Sequence, residues 1–189
     1  MTTPHAKTAL VIVGMPGSGK STLASFLRVH EWNIVRFGDC TMLELERKGL
    51  PINEANERMA REALRREHGM AAFAKLSLPA IEHALEDAKH VALDGLYSWS
   101  EYKHLRMHLE ARLLLVSVFT PRRERYARLT HRKERPLTPS EAESRDFAEI
   151  ENIEKGGPIA LSDHTILNCG TIVDMERDLE RILQAEGLW

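Results

Sequence analysis

Five short apolar runs recur along the chain, and polar segments with helical periodicity separate them. The first run, Thr8 to Val13, is continuous and lies between polar residues and a glycine loop, which is typical of a strand buried on both faces. Four further strands are predicted at residues 33–37, 90–93, 113–119 and 165–167. Strands that alternate with helices predict an α/β fold built on a parallel sheet.

Capping signals mark several helix boundaries. Ser98 to Glu101 has the spacing of a capping box, and the segment 138–141 (Thr-Pro-Ser-Glu) combines such a box with a proline at the first helical position. Thr120 and Pro121 predict an N-cap and a first helical residue for a basic helix that Pro136 should end. Further helical segments are predicted at residues 19–30, at 41–89 with breaks near 49–51 and at 69, and at 174–186.

Composition narrows the class of protein. The chain has 189 residues, of which 43% are hydrophobic, enough for one domain with a sizeable core. Its net charge of -2 gives no general attraction to nucleic acid or to anionic membranes, so neither is expected as a partner. Two cysteines and an apolar first run too short to span a bilayer favour a cytoplasmic protein.

The segment Gly14 to Ser21 matches the pattern G-x-x-x-x-G-K-S without a gap. Glycines let the backbone bend around an anion, and the helix start behind the loop adds a partial positive charge. Lys20 is suited to the β- and γ-phosphates, and the Ser21 hydroxyl to Mg²⁺. A chance glycine-rich turn is the alternative, but the strand before and the helix after the loop favour nucleotide binding. The predicted cofactor-binding residues here are Gly14, Pro16, Gly17, Ser18, Gly19, Lys20, Ser21 and Thr22.

Two aspartates follow predicted strands. Asp39 comes shortly after the second strand, and Asp94 comes directly after the third and precedes Gly95. Ligands of open α/β sheets bind at the carboxyl ends of the strands, so both carboxylates should face the phosphate site. Either could accept a proton from an attacking hydroxyl or hold Mg²⁺ directly or through water. The alternative for each is a turn aspartate that caps the next helix.

A basic segment lies between residues 122 and 135, with seven Arg or Lys against two Glu. Arg125, Arg128, Arg132 and Arg135 recur at three- and four-residue steps, which predicts one crowded face of a helix. Phosphoryl transfer needs cations that move in as negative charge develops. We therefore interpret residues 121–136 as a short lid. A solvated basic face or a nucleic-acid contact is the alternative.

Several pieces of the chain resemble one family of kinases. The segment GMPGSGKS resembles the P-loop of the nucleoside-monophosphate kinase superfamily. Gly38-Asp39 is similar to the acceptor-site aspartate of dephospho-CoA kinases, and Asp94-Gly95 resembles the Asp-Gly of adenylate kinases. Residues 128–145 and 162–170 resemble the lid and the C-terminal part of dephospho-CoA kinases. Leu96-Tyr97-Ser98 stands where adenylate kinases usually continue with Phe-Pro-Arg.

The resemblance implies roles for further residues. It assigns Asp39 to the acceptor hydroxyl and places Asp94 near the metal. It makes residues 39–89 the acceptor-binding helices, where Arg61 and Arg65 are candidates for an acceptor phosphate. Surface pairing of Arg58, Arg61 and Arg65 with Glu54, Glu57 and Glu62 is the alternative. Asn168 and Gly170 follow the last strand, where related kinases place the adenine; a simple turn is the alternative.

These expectations combine into one functional hypothesis. We expect a P-loop NTPase fold, with a five-stranded parallel sheet in the order 2-3-1-4-5, and transfer of the γ-phosphoryl group of Mg·ATP to a nucleotide-like small molecule. Dephospho-CoA or a nucleoside monophosphate is the favoured acceptor. Lys20, Asp39, Arg128 and Arg132 are the predicted catalytic residues, and Ser21 and Asp94 the predicted Mg²⁺ ligands. An ATPase or switch that acts on a protein or nucleic-acid partner is the alternative, and the oligomeric state is left open.

Overall fold

The computed structural model describes residues 7–133 and 136–189, and it contains one five-stranded parallel sheet. The strands are β1 (Thr8–Val13), β2 (Ile34–Arg36), β3 (His90–Asp94), β4 (Arg112–Phe119) and β5 (His164–Leu167). Their spatial order is β2-β3-β1-β4-β5, which confirms the predicted fold. Because all strands are parallel, their carboxyl ends meet at one edge of the sheet, and the loops that follow them share that edge.

Helices connect the strands and cover both faces of the sheet. They are α1 (Lys20–Val29), α2 (Asp39–Arg47), α3 (Glu54–His68), α4 (Ala72–Asp87), α5 (Trp99–His108), α6 (Arg122–His131), α7 (Pro139–Glu151), α8 (Gly156–Ala160) and α9 (Ile172–Ala185). The capping boxes predicted for α5 and α7 are confirmed, with Ser98 and Thr138 as the N-caps. The short helix α8 is not predicted by any capping signal in the sequence.

The continuous apolar strands are explained by burial on both faces. In β1, Ala9, Val11 and Val13 point into one core, and Leu10 and Ile12 into the other. The first core is filled mainly from α4, with contributions from α3 and α5, and the second from α1 and α9. This double layer leaves the loops at the carboxyl edge as the place where polar side chains can gather.

Two predicted boundaries of the basic helix are wrong. Thr120 does not cap it, because its hydroxyl instead donates a hydrogen bond to the carbonyl of Ser18, 3.0 Å away, and the helix begins at Arg122 after Pro121. The helix ends at His131, ahead of the predicted stop at Pro136, and the predicted lid residue Arg135 lies outside the described residues. None of the helices in the described part of the chain has the length and apolar character needed to cross a membrane.

Candidate phosphate-binding site

The glycine loop joins β1 to α1 at the carboxyl edge of the sheet. Gly17 and Gly19 have φ angles of 77° and 104°, which L side chains rarely adopt. A Cβ at Gly19 would lie 2.3 Å from the side-chain nitrogen of Asn168, and one at Gly17 would lie 2.9 Å from the carbonyl oxygen of Arg125. Glycine is therefore required at both positions by backbone conformation and by the neighbours packed against the loop.

Lys20 is the first residue of α1 and turns back over the loop. Its ammonium donates a hydrogen bond to the carbonyl of Met15, 3.0 Å away. Burial, together with the positive charge of Lys155, lowers the pKa of Lys20 to about 7. The hydroxyl oxygen of Ser18 is also buried and has no hydrogen-bond partner among the described residues. The Lys20 ammonium, which is largely shielded from solvent, and the unpaired Ser18 hydroxyl lie in the same loop. Both groups are suited to contact a bound polyphosphate.

Three side chains from the second half of the chain brace the loop. The amide of Asn168 donates to the carbonyl of Ser18 at 2.8 Å, alongside the hydroxyl of Thr120. The guanidinium of Arg125 donates to the carbonyl of Pro16 at 2.9 Å. Asn168 is only 6% exposed, so in this structure it supports the loop, whereas Gly170 is exposed on the surface.

The two predicted carboxylates meet at one arginine. Arg36 ends β2 and pairs in register with Asp94 at the end of β3. Its guanidinium lies 3.7 Å from the carboxylate of Asp94 and 3.8 Å from that of Asp39, the first residue of α2. Asp94 is 24% exposed and Asp39 57% exposed. Sequence analysis missed Arg36, although its place at the end of a strand is a usable signal.

Asp94 is also close enough to the glycine loop to act on Lys20, since its negative charge opposes the lowering of the Lys20 pKa. Ile12, two residues before the loop, pairs in register with Asp94. Ser21 and Thr22 lie in the first turn of α1. The structure thus brings the predicted phosphate residues and one predicted metal ligand to the same edge of the sheet.

The predicted shared face of lid arginines is wrong for the three members that the structure describes, because their surroundings differ. Arg125 is buried in an ion pair with Asp146 of α7, with nitrogen–oxygen distances of 3.0 and 2.6 Å. Arg128 is partly exposed and donates to the carbonyl of Asn168 at 3.3 Å. Arg132 lies beyond the last turn of α6. Asp146 thus joins α7 to the basic helix α6.

The arginines of α3 also divide into two groups. Arg58 pairs with Glu62 at 2.8 Å and Arg61 with Glu57 at 3.3 Å, as the surface-pairing alternative predicts. Arg65 differs, because its guanidinium lies 5.0 Å from the centre of the Phe73 ring. Burial lowers the pKa of Arg65, and its Nε has no hydrogen-bond partner among the described residues.

Sequence analysis missed a cluster of charged side chains around Lys155. Lys155 is 3% exposed and forms a close ion pair with Glu149, which also accepts a hydrogen bond from Arg145 at 3.1 Å. Burial opposes ionisation of Glu149, but Lys155 and Arg145 nevertheless hold its pKa below the usual range. A lysine followed by Gly156 and Gly157 is the only sequence signal for this cluster.

Tyr97 and Glu101 are the neighbours of this cluster at the start of α5. The Tyr97 ring lies over Gly95, 5.3 Å from the Lys155 ammonium, and burial raises the pKa of the phenol to about 12. Glu101 caps α5 by accepting hydrogen bonds from the backbone of Tyr97 and Ser98 at 2.7 and 3.0 Å. Burial raises the pKa of Glu101 to about 7 despite these bonds.

The side chains at this edge fit Mg²⁺ held together with phosphate. In the two described ranges, no three His, Cys, Asp or Glu side chains gather as a metal cage. Mg²⁺ in phosphoryl-transfer sites needs only one or two protein oxygens, with phosphates and water as the other ligands. The Ser21 hydroxyl and the Asp94 carboxylate are of the right chemistry for that role.

Comparisons with known proteins agree with this description. Residues 10–164 match the family model AAA_18, described as an AAA domain. A UPF0200 protein of Aeropyrum pernix is 36% identical over 184 residues, covering 96% of this chain and 94% of its own. A UPF0200 protein of Thermococcus gammatolerans is 32% identical over 178 residues, covering 93% of each chain.

Solved structures share the fold at low sequence identity. TT1252 of Thermus thermophilus superposes with a TM-score of 0.62 at 22% identity and covers 95% of this chain and 98% of its own. Shikimate kinase of Bacteroides thetaiotaomicron gives 0.60 at 14% identity, covering 96% and 99%. A gluconokinase of Sinorhizobium meliloti gives 0.56 at 14% identity, covering 96% of each chain. The predicted likeness to P-loop kinases is thereby confirmed for the fold, and the chain belongs to the AAA_18 family of AAA domains and to the UPF0200 proteins.

Proposed function

We propose that this protein transfers the γ-phosphoryl group of Mg·ATP to a small-molecule acceptor. The observation that carries the proposal is the shared edge of the sheet, where the phosphate loop with Lys20 lies beside Asp94, and Arg36 connects Asp94 to Asp39. A phosphate-binding loop alone would serve any NTPase. Transfer to a hydroxyl acceptor needs a second carboxylate, in addition to the one near the metal, which accepts the proton of that hydroxyl.

The roles of the residues follow from their positions. Lys20 and the loop amides would hold the β- and γ-phosphates, and Ser21 and Asp94 would hold Mg²⁺, which would neutralise charge on the phosphates. Asp39 accepts the proton of the attacking hydroxyl, and Arg36 holds the Asp39 carboxylate in place. Arg128 and Arg132 in the segment 121–136, which we retain as the lid, neutralise the transferring group and exclude water.

The acceptor is proposed from chemistry and likeness. Dephospho-CoA and the nucleoside monophosphates remain the favoured candidates, and residues 39–89 are the segment that would bind them. Shikimate kinase and gluconokinase share the fold, so shikimate and gluconate join the acceptors to be tested. Arg65 is the α3 arginine best placed to meet an acceptor, because Arg61 pairs with Glu57 within its own helix.

The test is an ATP-consumption screen with Mg²⁺ across dephospho-CoA, nucleosides, nucleoside monophosphates, shikimate and gluconate. We expect one class to stimulate ATP consumption well above basal hydrolysis. If none does while ATP still binds, the protein is better described as an ATPase or switch, and the kinase proposal is rejected.

Variants assign the roles. Asp39→Asn should lower turnover by about 100-fold or more with little change in ATP affinity, because it removes only the proton acceptor. Asp94→Asn should weaken Mg²⁺-dependent nucleotide binding as well. Asp178→Asn on α9, a surface aspartate paired with Arg181, is the matched control and should change neither quantity. Unchanged turnover in Asp39→Asn would remove Asp39 from the chemistry.

A further inference from the structure

Lys155 is a buried cation next to Tyr97, whose ring lies over Gly95 at the end of β3, and it has no role in the function proposed above. Its side chain is 3% exposed, and it comes from the turn between α7 and α8. Burying an ammonium group costs free energy unless a counter-charge pairs with it. A second cation close to the buried ammonium adds repulsion, so this arrangement calls for an explanation. The other cation here is Lys20, whose pKa Lys155 helps to lower.

The backbone around Lys155 is held in a conformation that directs it inward. Glu154 has a φ of 54°, in the left-handed region that residues other than glycine seldom adopt. The amide of Lys155 donates to the carbonyl of Glu149 at 3.1 Å, closing the turn. Gly157 then packs so closely on Trp99 that a Cβ would lie 2.9 Å from the indole ring. Strain of this kind persists where surrounding structure enforces it, often at functional sites.

Lys155 shares its neighbours with Arg65, the proposed acceptor arginine. It contacts Glu149 and lies over the Tyr97 ring. Tyr97 and Glu149 also act electrostatically on Arg65, the arginine of α3 that faces inward. Phe73, the ring over which Arg65 lies, packs edge-on against Tyr97 with ring centres 6.4 Å apart. Lys155 and the proposed acceptor arginine therefore lie next to the same pair of aromatic rings.

The carboxylates around Lys155 are shared among several cations. Glu149 pairs with both Lys155 and Arg145. The buried Glu101 acts on Lys155 and Arg65 together, and Asp94 acts on Lys20. An oxyanion placed here would complete the pairing of these cations and compete with Glu149 for Lys155. A merely structural ion pair would need neither the second cation nor the proximity to Lys20.

We propose that Lys155 binds an oxyanion group of the acceptor, a phosphate or a carboxylate, with Arg145 beside it and Glu149 as the counter-ion that the ligand displaces. The inference rests on the proposed function for the identity of the ligand as a phosphoryl acceptor. The acceptor is thus an anionic small molecule with its charged group close to the atom that receives the phosphoryl group.

The test measures anion binding without turnover. Inorganic phosphate, and acetate in a parallel series, are titrated by calorimetry into protein saturated with Mg²⁺ and a non-hydrolysable ATP analogue, so that the γ-phosphate position is filled. We expect one phosphate or one acetate to bind, and the tighter of the two identifies the acceptor's anionic group. Lys155→Met should weaken that binding by about tenfold or more, because it removes a charge-assisted contact.

The control and the second variant separate binding from folding. Lys103→Met removes an exposed lysine that also lies over an aromatic ring, 5.8 Å from the centre of Trp99, and should leave anion binding unchanged. Glu149→Gln removes the competing carboxylate and should tighten anion binding severalfold, a change that loss of a structural ion pair would not produce.

Three results would overturn the inference: no anion binding by the wild type, equal binding by Lys155→Met, or weaker or unchanged binding by Glu149→Gln. The result for Glu149→Gln tests the inference even if Lys155→Met fails to fold. If anions bind as expected but no acceptor stimulates ATP consumption, the site stands and the kinase proposal fails. If an acceptor is found but Lys155→Met binds anions normally, the kinase proposal stands and this inference fails.

Discussion

The guanidinium of Arg125 and the carboxylate of Asp146 form a two-point ion pair, with nitrogen–oxygen distances of 3.0 and 2.6 Å, inside the protein. The same guanidinium donates to the carbonyl of Pro16 in the phosphate loop, 2.9 Å away. One arginine thereby fixes three segments, α6, α7 and the loop. The position of α6 over the phosphate site depends on this contact.

Removing one member of that pair should be strongly destabilising. We expect Asp146→Asn or Arg125→Met to lower the free energy of unfolding by about 3–5 kcal/mol, because each leaves the other partner buried without its counter-charge. Urea unfolding followed by circular dichroism measures the change. Arg122→Met is the matched control, since Arg122 also joins α6 to α7, but through an exposed pair with Glu143 at 3.8 Å. Its cost should be at most about 1 kcal/mol, and equal losses in both pairs would contradict the assigned role of Arg125.

Gly19→Ala should abolish nucleotide binding and destabilise the protein. Its φ of 104° strains any L residue, and the added Cβ would lie 2.3 Å from the side-chain nitrogen of Asn168, which braces the loop. Gly49→Ala tests backbone strain alone, because Gly49 has a φ of 65° and an added Cβ there meets nothing within 4 Å. That control should cost about 1–2 kcal/mol and keep nucleotide binding. Equal effects at both sites would show that the Asn168 contact is unimportant.

Nucleotide binding should draw a proton from solution above neutral pH. The pKa of Lys20 is about 7, lowered from an ordinary value of 10.5 by burial and by the charge of Lys155, so Lys20 is mostly neutral at about pH 8.5. A bound triphosphate favours the ammonium form and raises that pKa. Calorimetric titration in two buffers of different ionisation enthalpy should report uptake approaching one proton at about pH 8.5 and none below about pH 6.

The Lys20→Arg variant is the control for this linkage, because arginine stays charged throughout the range and should show no uptake. Binding enthalpies that are independent of the buffer in the wild type at pH 8.5 would contradict the assignment of a neutral Lys20 in the nucleotide-free protein.

Glu101 should make stability depend on pH in the opposite sense to an ordinary surface carboxylate. Burial raises its pKa in the folded protein to about 7 from a usual 4.5, so the folded state holds the proton more tightly than the unfolded state. Its contribution to stability is full below about pH 4.5 and is lost as pH rises to about 7. Relative to Glu101→Gln, the wild type should therefore lose about 3 kcal/mol of unfolding free energy across that window.

Denaturant unfolding of both proteins at intervals from pH 5 to pH 8 checks this expectation. Glu141→Gln is a matched control, because Glu141 occupies the equivalent capping-box position in α7 but is exposed. The unfolding free energy of the wild type relative to Glu141→Gln should not decrease as the pH rises. If the difference in unfolding free energy between the wild type and Glu101→Gln stays constant with pH, Glu101 remains ionised in the folded state.

Local sequence patterns were enough to predict the strands, most of the helices and the phosphate loop. The apolar run Thr8–Val13, the gap-free loop from Gly14 to Ser21 and the capping boxes at Ser98 and Thr138 each depend on residues within one short segment. Such segments carry their own burial, turn and capping chemistry, so the strands, most helices and the phosphate loop could be predicted. The parallel sheet and its strand order follow from the alternation of those elements and from the resemblance of the loop to kinases.

Long-range partners decided what the sequence alone left open or predicted wrongly. Arg125 and Arg128 have the same spacing pattern and the same charge, yet a carboxylate 21 positions away buries the first and leaves the second beside the site. Lys155 carries almost no local signal, and only folding brings it to Glu149 and Tyr97, where its charge also lowers the pKa of Lys20. The sequence by itself determined the glycine loop at which we expect phosphate to bind. Only the tertiary structure decided which cations surround it, because a charged side chain's role depends on the counter-charge and solvent that folding places around it.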